Sequence, residues 1–326
     1  MPRADAAILQ LFREAGTGFV SGEHVSRELK VSRTAVWKHI NGLRQAGYEI
    51  EAVPSRGYRL LSIPDILSVD EIRGRITGER IGRNLVCHDT TASTNADAFR
   101  LAEEGAGEGT TVVADSQSAG KGRRGRHWVS PAGVNLYCSV VLRPDILPYE
   151  APQLTFLSSV AVARAIRQET GLAAEIKWPN DVLLQGKKVA GLLNEMSAET
   201  DGINFVILGV GVNLNMSREQ FPDDLRAPAT SLLLEHGKAV PRAGFTARLL
   251  NELDRLYNEF LNHGFGPVRR EWQECCNAAG REIVVSDQGL ETARGIFDGI
   301  DGDGALLLRL PDGKQERIVA GDVRVV

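Results

Sequence analysis

The sequence predicts a multidomain α+β protein with an N-terminal winged helix-turn-helix, a central body of strands and flanking helices, and a C-terminal SH3-like β-barrel. Three observations carry that prediction. Residues 5–60 read as three short helices followed by strand, turn and strand. Residues 84–263 alternate short β-branched runs with amphipathic helices. From Arg281 onward the pattern changes to short strands and Gly/Asp turns. A chain of 326 residues has room for two or three cores, and the segments divide at 1–63, 64–277 and 278–326.

Composition excludes several classes. Apolar content of 43% and charged content of 25% are ordinary for a globular protein. The longest strongly apolar runs, such as 205–212, are too short to cross a bilayer. The N-terminal MPRADAAILQ lacks the apolar stretch of a signal peptide. Cys87, Cys138, Cys275 and Cys276 form no CxxC pair and have no histidine at zinc spacing, as expected of reduced thiols in a cytoplasmic protein. Charge is uneven: residues 1–62 hold nine Lys/Arg against six Asp/Glu, and the remainder holds twenty-nine against thirty-six. A basic module on an acidic body suggests an anionic partner for that module.

Ile8, Leu9, Leu11 and Phe12 set the first helix over 5–15. Ser21 caps the second, with Val25 and Leu29 on one face, and Lys30-Val31 turns the chain. Ser32 caps the third, whose Val36, Ile40 and Leu43 form a buried stripe and which Gly47 ends. Its outer face presents Arg33, Thr34, Trp37, Lys38 and His39. Residues 48–53, 54–57 and 58–60 then read as strand, turn and strand. Helix 3 is shaped for a major groove; the alternative is a module that only contacts proteins, and the local positive charge favours DNA.

Pro64 and Asp65 begin a linker, and 84–88 is a short strand. A helix runs from Thr91–Asn95 to about Glu104 with Ser93 at its N-cap, a polar site by virtue of its free N–H groups. The strand 110–113 enters a glycine-spaced loop carrying Lys121, Arg123, Arg124 and Arg126 and closing on Trp128. Gly120, Gly122 and Gly125 let its backbone approach a ligand, and the crowded cations call for a counter-charge, most simply a bound polyphosphate. The Walker pattern fails, because Asp115 and Gly122 stand where it needs Gly and Ser/Thr. Gly120-x-Gly122-x-x-Gly125 matches GxGxxG literally, yet the cations and Pro131-Ala132-Gly133 leave no helix for it to open.

Residues 134–143 form a core strand, and 151–169 a helix ended by Gly171. Lys177 sits at the end of a short strand before Trp178-Pro179-Asn180-Asp181; alone it reads as a snorkelling surface lysine. Residues 188–195, including Gly191, form another strand. In 203–215, alternation puts Gly209, Gly211, Asn213 and Asn215 on one face and Val210, Val212 and Leu214 on the core face. The glycine face can admit a flat ligand with Asn213 at its edge, or mark a bulge or close crossing. A helix follows over 242–263, and strands over 282–286, 290–297, 304–309, 315–319 and 322–326.

The loop Gln117-Ser-Ala-Gly-Lys-Gly-Arg-Arg-Gly-Arg126 closely resembles the ligand loop of biotin protein ligases. Residues 32–40 and the wing 54–58 resemble the DNA-reading segments of bifunctional members that repress the biotin operon. Ser93-Thr94-Asn95, the KWPND of 177–181 and the GxGxN of 209–213 resemble further family motifs, in order, across nearly the whole chain. The resemblance implies a class II synthetase-like mixed sheet with flanking helices at the centre and an SH3-like C-terminal domain. It implies ATP-dependent formation of biotinyl-5'-AMP with Mg2+, then transfer of biotin to a lysine of a biotin carboxyl carrier protein or similar acceptor. It also implies a ligand-bound homodimer on operator DNA.

Carried over by motif, biotin would meet Ser93, Thr94, Asn95, Gln117, Gly120, Lys121, Gly122, Arg123, Lys177, Gly191, Gly209 and Gly211. ATP and the adenylate would meet Arg123, Arg124, Arg126, Trp128, Lys177, Asn180 and Asn213. Arg123 and Lys177 would be catalytic, and Ser32, Arg33, Thr34, Trp37, Lys38 and Arg56 would meet DNA. No residues are assigned to magnesium. Lys121 stands where the family pattern has arginine, which matters if that position uses a bidentate fork rather than its backbone. A lipoate-type ligase, or a biotin-sensing repressor without ligase activity, are the alternatives.

Overall fold

A computed structural model of the protein describes residues 3–199, 202–287 and 289–326. The chain divides into two compact units, one ending at Ile66 and the other beginning at Leu67.

The first unit holds α1 (Arg3–Ala15), α2 (Gly22–Leu29), α3 (Arg33–Gln45), β1 (Glu49–Val53) and β2 (Gly57–Ser62). Both predicted caps form: Ser21 Oγ accepts from the His24 N–H at 3.1 Å and Ser32 Oγ from the Ala35 N–H at 3.2 Å. Each gives a partner to an amide the helix cannot bond internally. Ile8, Leu9, Phe12, Val25, Val36, Ile40 and Leu43 close a core of their own. The hairpin is sewn to the α1–α2 connection by paired bonds between Val20 and Tyr58. Gly57, at φ +106°, lies so close to the Val20 carbonyl that a Cβ would collide with it.

The second unit runs α4 (Val69–Arg73), β3 (Leu85–Thr91), α5 (Thr94–Glu103), β4 (Thr111–Gln117), β5 (Leu136–Leu142), α6 (Gln153–Thr170), β6 (Glu175–Lys177), β7 (Asp181–Leu184), β8 (Lys187–Glu199), β9 (Gly202–Val212), α7 (Leu232–His236), α8 (Arg242–His263) and α9 (Phe265–Cys275). Its sheet has the order β3-β4-β5-β9-β8-β7-β6, with β3 and β4 parallel and the remaining pairs antiparallel. The helices α6, α8 and α9 bury one face. On the other face α5 covers Val112, Val141, Phe205 and Ile207, and leaves the rest of that face to the site.

The chain ends in β10 (Glu282–Asp287), β11 (Leu290–Ile300), β12 (Leu306–Arg309), β13 (Gln315–Ile318) and β14 (Asp322–Val325), all five of the expected strands, in one antiparallel sheet ordered β13-β12-β11-β10-β14. Ile283, Val285, Phe297, Leu306 and Leu308 share the core of the central sheet, and the Phe297 ring packs on Trp272. Among the described residues, no helix is long and apolar enough to cross a membrane.

Candidate active site

Register builds the floor. Gly209 of β9 pairs with Ser139 of β5 and Leu193 of β8, and Gly211 pairs with Tyr137 and Gly191. Partners across a ladder share a face, so three glycines make a floor without side chains, which Asn95 of α5 covers at Gly209. The Trp128 ring lies over it: a Cβ on Gly211 would stand 2.6 Å from Trp128 Cε2, and one on Gly191 would stand 2.9 Å from Cζ3. The indole Nε1 is buried with no partner among the described residues.

The start of α5 supplies the polar wall. Gln117 Oε1 accepts from the Thr94 N–H at 2.9 Å and its Nε2 donates to Ser130 Oγ at 3.0 Å. Buried Ser139 Oγ stands 2.8 Å from Thr94 Oγ1 and 2.6 Å from Asn95 Oδ1. One expectation changes here. Ser93 occupies the N-cap position, but its hydroxyl makes no capping bond, which leaves it facing the cleft. Asn95 is held entirely by protein groups, donating to Leu193 O at 3.1 Å and Glu195 Oε2 at 2.7 Å, so its amide braces the wall.

The glycine loop folds as a small hairpin. Trp128 N–H donates to Gly120 O at 2.9 Å, Gly122 N–H donates to Arg126 O at 2.7 Å, and Lys121 pairs with His127. Between them Arg123–Gly125 form a single 3-10 turn, with Arg124 in the left-handed region at φ +58°. No helix follows, in agreement with the rejection of the dinucleotide fingerprint. Lys121 serves the hairpin through its backbone while its exposed side chain borders the cleft.

The loop's counter-charge is in part the protein itself. Arg124 pairs with Asp287 and Arg126 with Asp322, both at 2.7 Å, where a bound anion alone was expected. Lys121 and Arg123 have no carboxylate partner among the described residues. Burial lowers the pKa of the Arg123 guanidinium, which stays charged all the same, and it donates to Asn180 Oδ1 at 3.1 Å.

The KWPND segment is the turn between β6 and β7, with Lys177 opposite Asp181. Asn180 Nδ2 donates to Leu192 O at 2.8 Å, fixing the oxygen that holds Arg123. Trp178 is buried and donates from Nε1 to Gly304 O of the C-terminal sheet at 3.1 Å. The lysine missed in the sequence is Lys188. Its Nζ stands 2.6 Å from Asp181 Oδ1 and 5.4 Å from the Trp128 ring centroid. Only the β7–β8 hairpin brings it in, and neither β7 nor that turn was recognised.

These groups line one cleft with two lobes. The inner lobe is bordered by Ser93, Thr94, Asn95, Gln117, Lys121, Gly191, Gly209 and Gly211. The outer lobe is bordered by Arg124, Arg126, Lys177, Asp181, Asn213 and Asp322. Gly122, Arg123, Trp128, Asn180 and Lys188 border both. Of the residues assigned to biotin, Gly120 and Lys177 do not border the inner lobe; Gly120 instead lets the loop close against Trp128 O and Ser130 Oγ. Every residue assigned to the nucleotide borders the outer lobe. Asn213 is buried there and already donates to Thr230 O at 3.0 Å.

On α3, Ser32, Arg33, Thr34, Trp37 and Lys38 are exposed, Trp37 at 55%, and the wing presents Arg56. His39, expected beside them, turns inward, with Nδ1 2.7 Å from Asp5 Oδ1.

Residues 87–213 match the Biotin/lipoate A/B protein ligase family, 6–59 an HTH domain and 279–325 the Biotin protein ligase C terminal domain. The bifunctional ligase/repressor BirA of Bacillus subtilis is 42% identical over 322 residues, covering 98% of this chain and 97% of its own. BirA of Escherichia coli is 33% identical over 89% of this chain and 88% of its own. The structure of the biotin protein ligase from Aquifex aeolicus in complex with biotin and ATP, 29% identical, superposes with a TM-score of 0.64 over 75% of this chain and 99% of its own. With its ligand loop and its winged helix in place, and 42% identity to BirA of Bacillus subtilis over 98% of its length, this chain belongs to the bifunctional biotin ligase/repressor family.

Proposed function

We propose that the inner lobe takes biotin, the outer lobe takes ATP, and Arg123 serves the atoms that react between them. The observation that carries this reading is the position of Arg123. It borders both lobes, is held by Asn180 and has no carboxylate partner among the described residues. In the first step a carboxylate oxygen of biotin bonds to the α-phosphorus as the bridging P–O bond breaks, and pyrophosphate leaves. In the second, the neutral amine of the acceptor lysine bonds to the acyl carbon, the C–O bond breaks, AMP leaves and the amine loses a proton.

Both ground-state partners are anions, so the cations must first overcome their repulsion. Arg123 would bridge carboxylate and phosphate, with Lys177 at the outer-lobe end and Lys188 held in place by Asp181. Arg124, Arg126, Trp128 and Asn213 would border the nucleotide. The biotin rings would lie against the Trp128 indole that rests on the glycine floor, beside Ser93, Thr94 and Gln117. Magnesium would enter as the MgATP complex, held mainly by phosphate oxygens; Asp181 and Asp322 are the carboxylates bordering that lobe. It would neutralise phosphate charge.

The chain would work in the cytoplasm as three segments, 1–63 reading operator DNA, 64–277 forming the adenylate and 278–326 steadying the loop. The acceptor would be a biotin carboxyl carrier protein. We infer that ligand-bound copies pair. Asn194–Glu199 of β8 have a strand neighbour on one side only among the described residues, and Met196 there is exposed. Such an edge pairs readily.

Incubation with labelled biotin, MgATP and a biotin carrier domain tests the assignment. Label should appear on one carrier lysine, and Arg123→Ala should slow adenylate formation roughly a hundredfold or more. Transfer by that variant at the parent rate would remove Arg123 from the chemistry.

A further inference from the structure

Phe19 lies outside every motif, in the connection between α1 and α2, next to the Val20 that pairs with the wing. Its half-buried ring carries two guanidinium groups: Arg56 Cζ lies 4.2 Å from the ring centroid and Arg59 Cζ 4.7 Å. The two arginines are not equivalent. Arg59 donates to Glu51 Oε2 from Nε at 3.0 Å and NH2 at 2.6 Å, and is neutralised there. Arg56 is exposed and has no carboxylate partner among the described residues. The hairpin beneath is fixed by the Val20–Tyr58 bonds and by the close approach of Gly57 to the Val20 carbonyl.

We propose that Phe19 is a positioning residue for DNA binding: its ring holds the unpaired Arg56 guanidinium at the wing surface, ready to contact a duplex phosphate. A long arginine otherwise loses rotamer freedom when it meets a phosphate. A ring that already confines it by cation–π attraction removes part of that cost before DNA arrives. The ligand is the sugar–phosphate backbone, because a single cation at the turn of a hairpin carries charge rather than sequence information. This inference rests on the DNA-binding reading of the winged helix.

The test titrates the full chain, with biotin and MgATP present, into a random-sequence duplex over a range of salt concentrations. The parent protein should bind more weakly as salt rises. Arg56→Ala should lower the log–log salt slope by about one. Phe19→Leu should weaken binding roughly two- to fivefold with the slope unchanged, Phe19→Tyr should restore it, and in the Arg56→Ala background Phe19→Leu should cost nothing further. A purely structural Phe19 would cost the same in both backgrounds, and that outcome overturns the proposal, as does a neutral Phe19→Leu. Absent or salt-independent binding by the parent would instead defeat the DNA-binding reading itself.

Discussion

Gly211 shows how one missing side chain makes a site. Trp128 lies so near its Cα that any Cβ would push the indole away from the floor. Gly211→Ala should therefore raise the KM for biotin roughly tenfold, about 1.4 kcal/mol of displaced contact, and raise the KM for ATP as well, since the indole borders both lobes. Steady-state pyrophosphate release measures both, and unchanged KM values for the two substrates would sink the explanation. At this scale the sequence was legible where a residue type has few structural excuses. Gly209, Gly211 and Arg123 announced a ligand by type and spacing, and all three border the cleft. Lys188 and Ser139 did not, since a lysine at a strand start and a serine within a strand are commonplace until register sets one against Asp181 and the other against Gly209. Asn95 reads as a ligand donor only through its family motif, and its bonds to Leu193 and Glu195, about a hundred residues along the chain, leave no local trace.

Among the elements, the glycine loop depends on the C-terminal strands. Burial opposes ionisation of Asp322, but the hydrogen bond from Arg126 and the charges of Arg126, Arg124 and Arg123 outweigh it and hold the carboxyl below its usual range. A lowered folded-state pKa means the contact is fully present above the ordinary aspartate value, about 4, and is lost as pH falls through the lowered one. The Nε–H resonance of Arg126 should thus stay constant from pH 8 to about pH 5 and shift only in stronger acid. A transition centred near neutrality would show that a different group controls the loop. Caps and long amphipathic stretches were readable beforehand: Ser21, Ser32, Gly171 and the stripes of α3 and α8 all stand where expected. The segments α4, α7 and β7 span four or five residues, too few for a period to register, and they passed unnoticed. His39 was misplaced because helical spacing alone cannot see Asp5 reaching it from α1.

At the scale of the whole molecule, two separate cores lie either side of Ile66–Leu67, whereas the central and C-terminal sheets share one. Calorimetry should resolve two transitions. Saturating biotin and ATP should raise the one belonging to 67–326, by about 2.7 kcal/mol at a hundred times Kd, and leave the winged helix unmoved. A joint shift of both would mean that ligand binding couples the units energetically. The order of domains was open to reading because composition changes along the chain, from a basic segment through alternating elements to Asp/Gly turns. Their sharing of a core was not, since Phe297 against Trp272 is a long-range contact with no local trace.

The indole of Trp178 has a bearing on engineering. Its bond to the Gly304 carbonyl ties the turn that carries Lys177 and Asn180 to the 301–305 corner of the last domain. A chimaera that borrows a foreign C-terminal module would have to import a matching corner, or leave a buried indole N–H without its acceptor. Domain grafting in this enzyme is therefore constrained at this tryptophan as well as at the shared core and the Arg124–Asp287 and Arg126–Asp322 pairs.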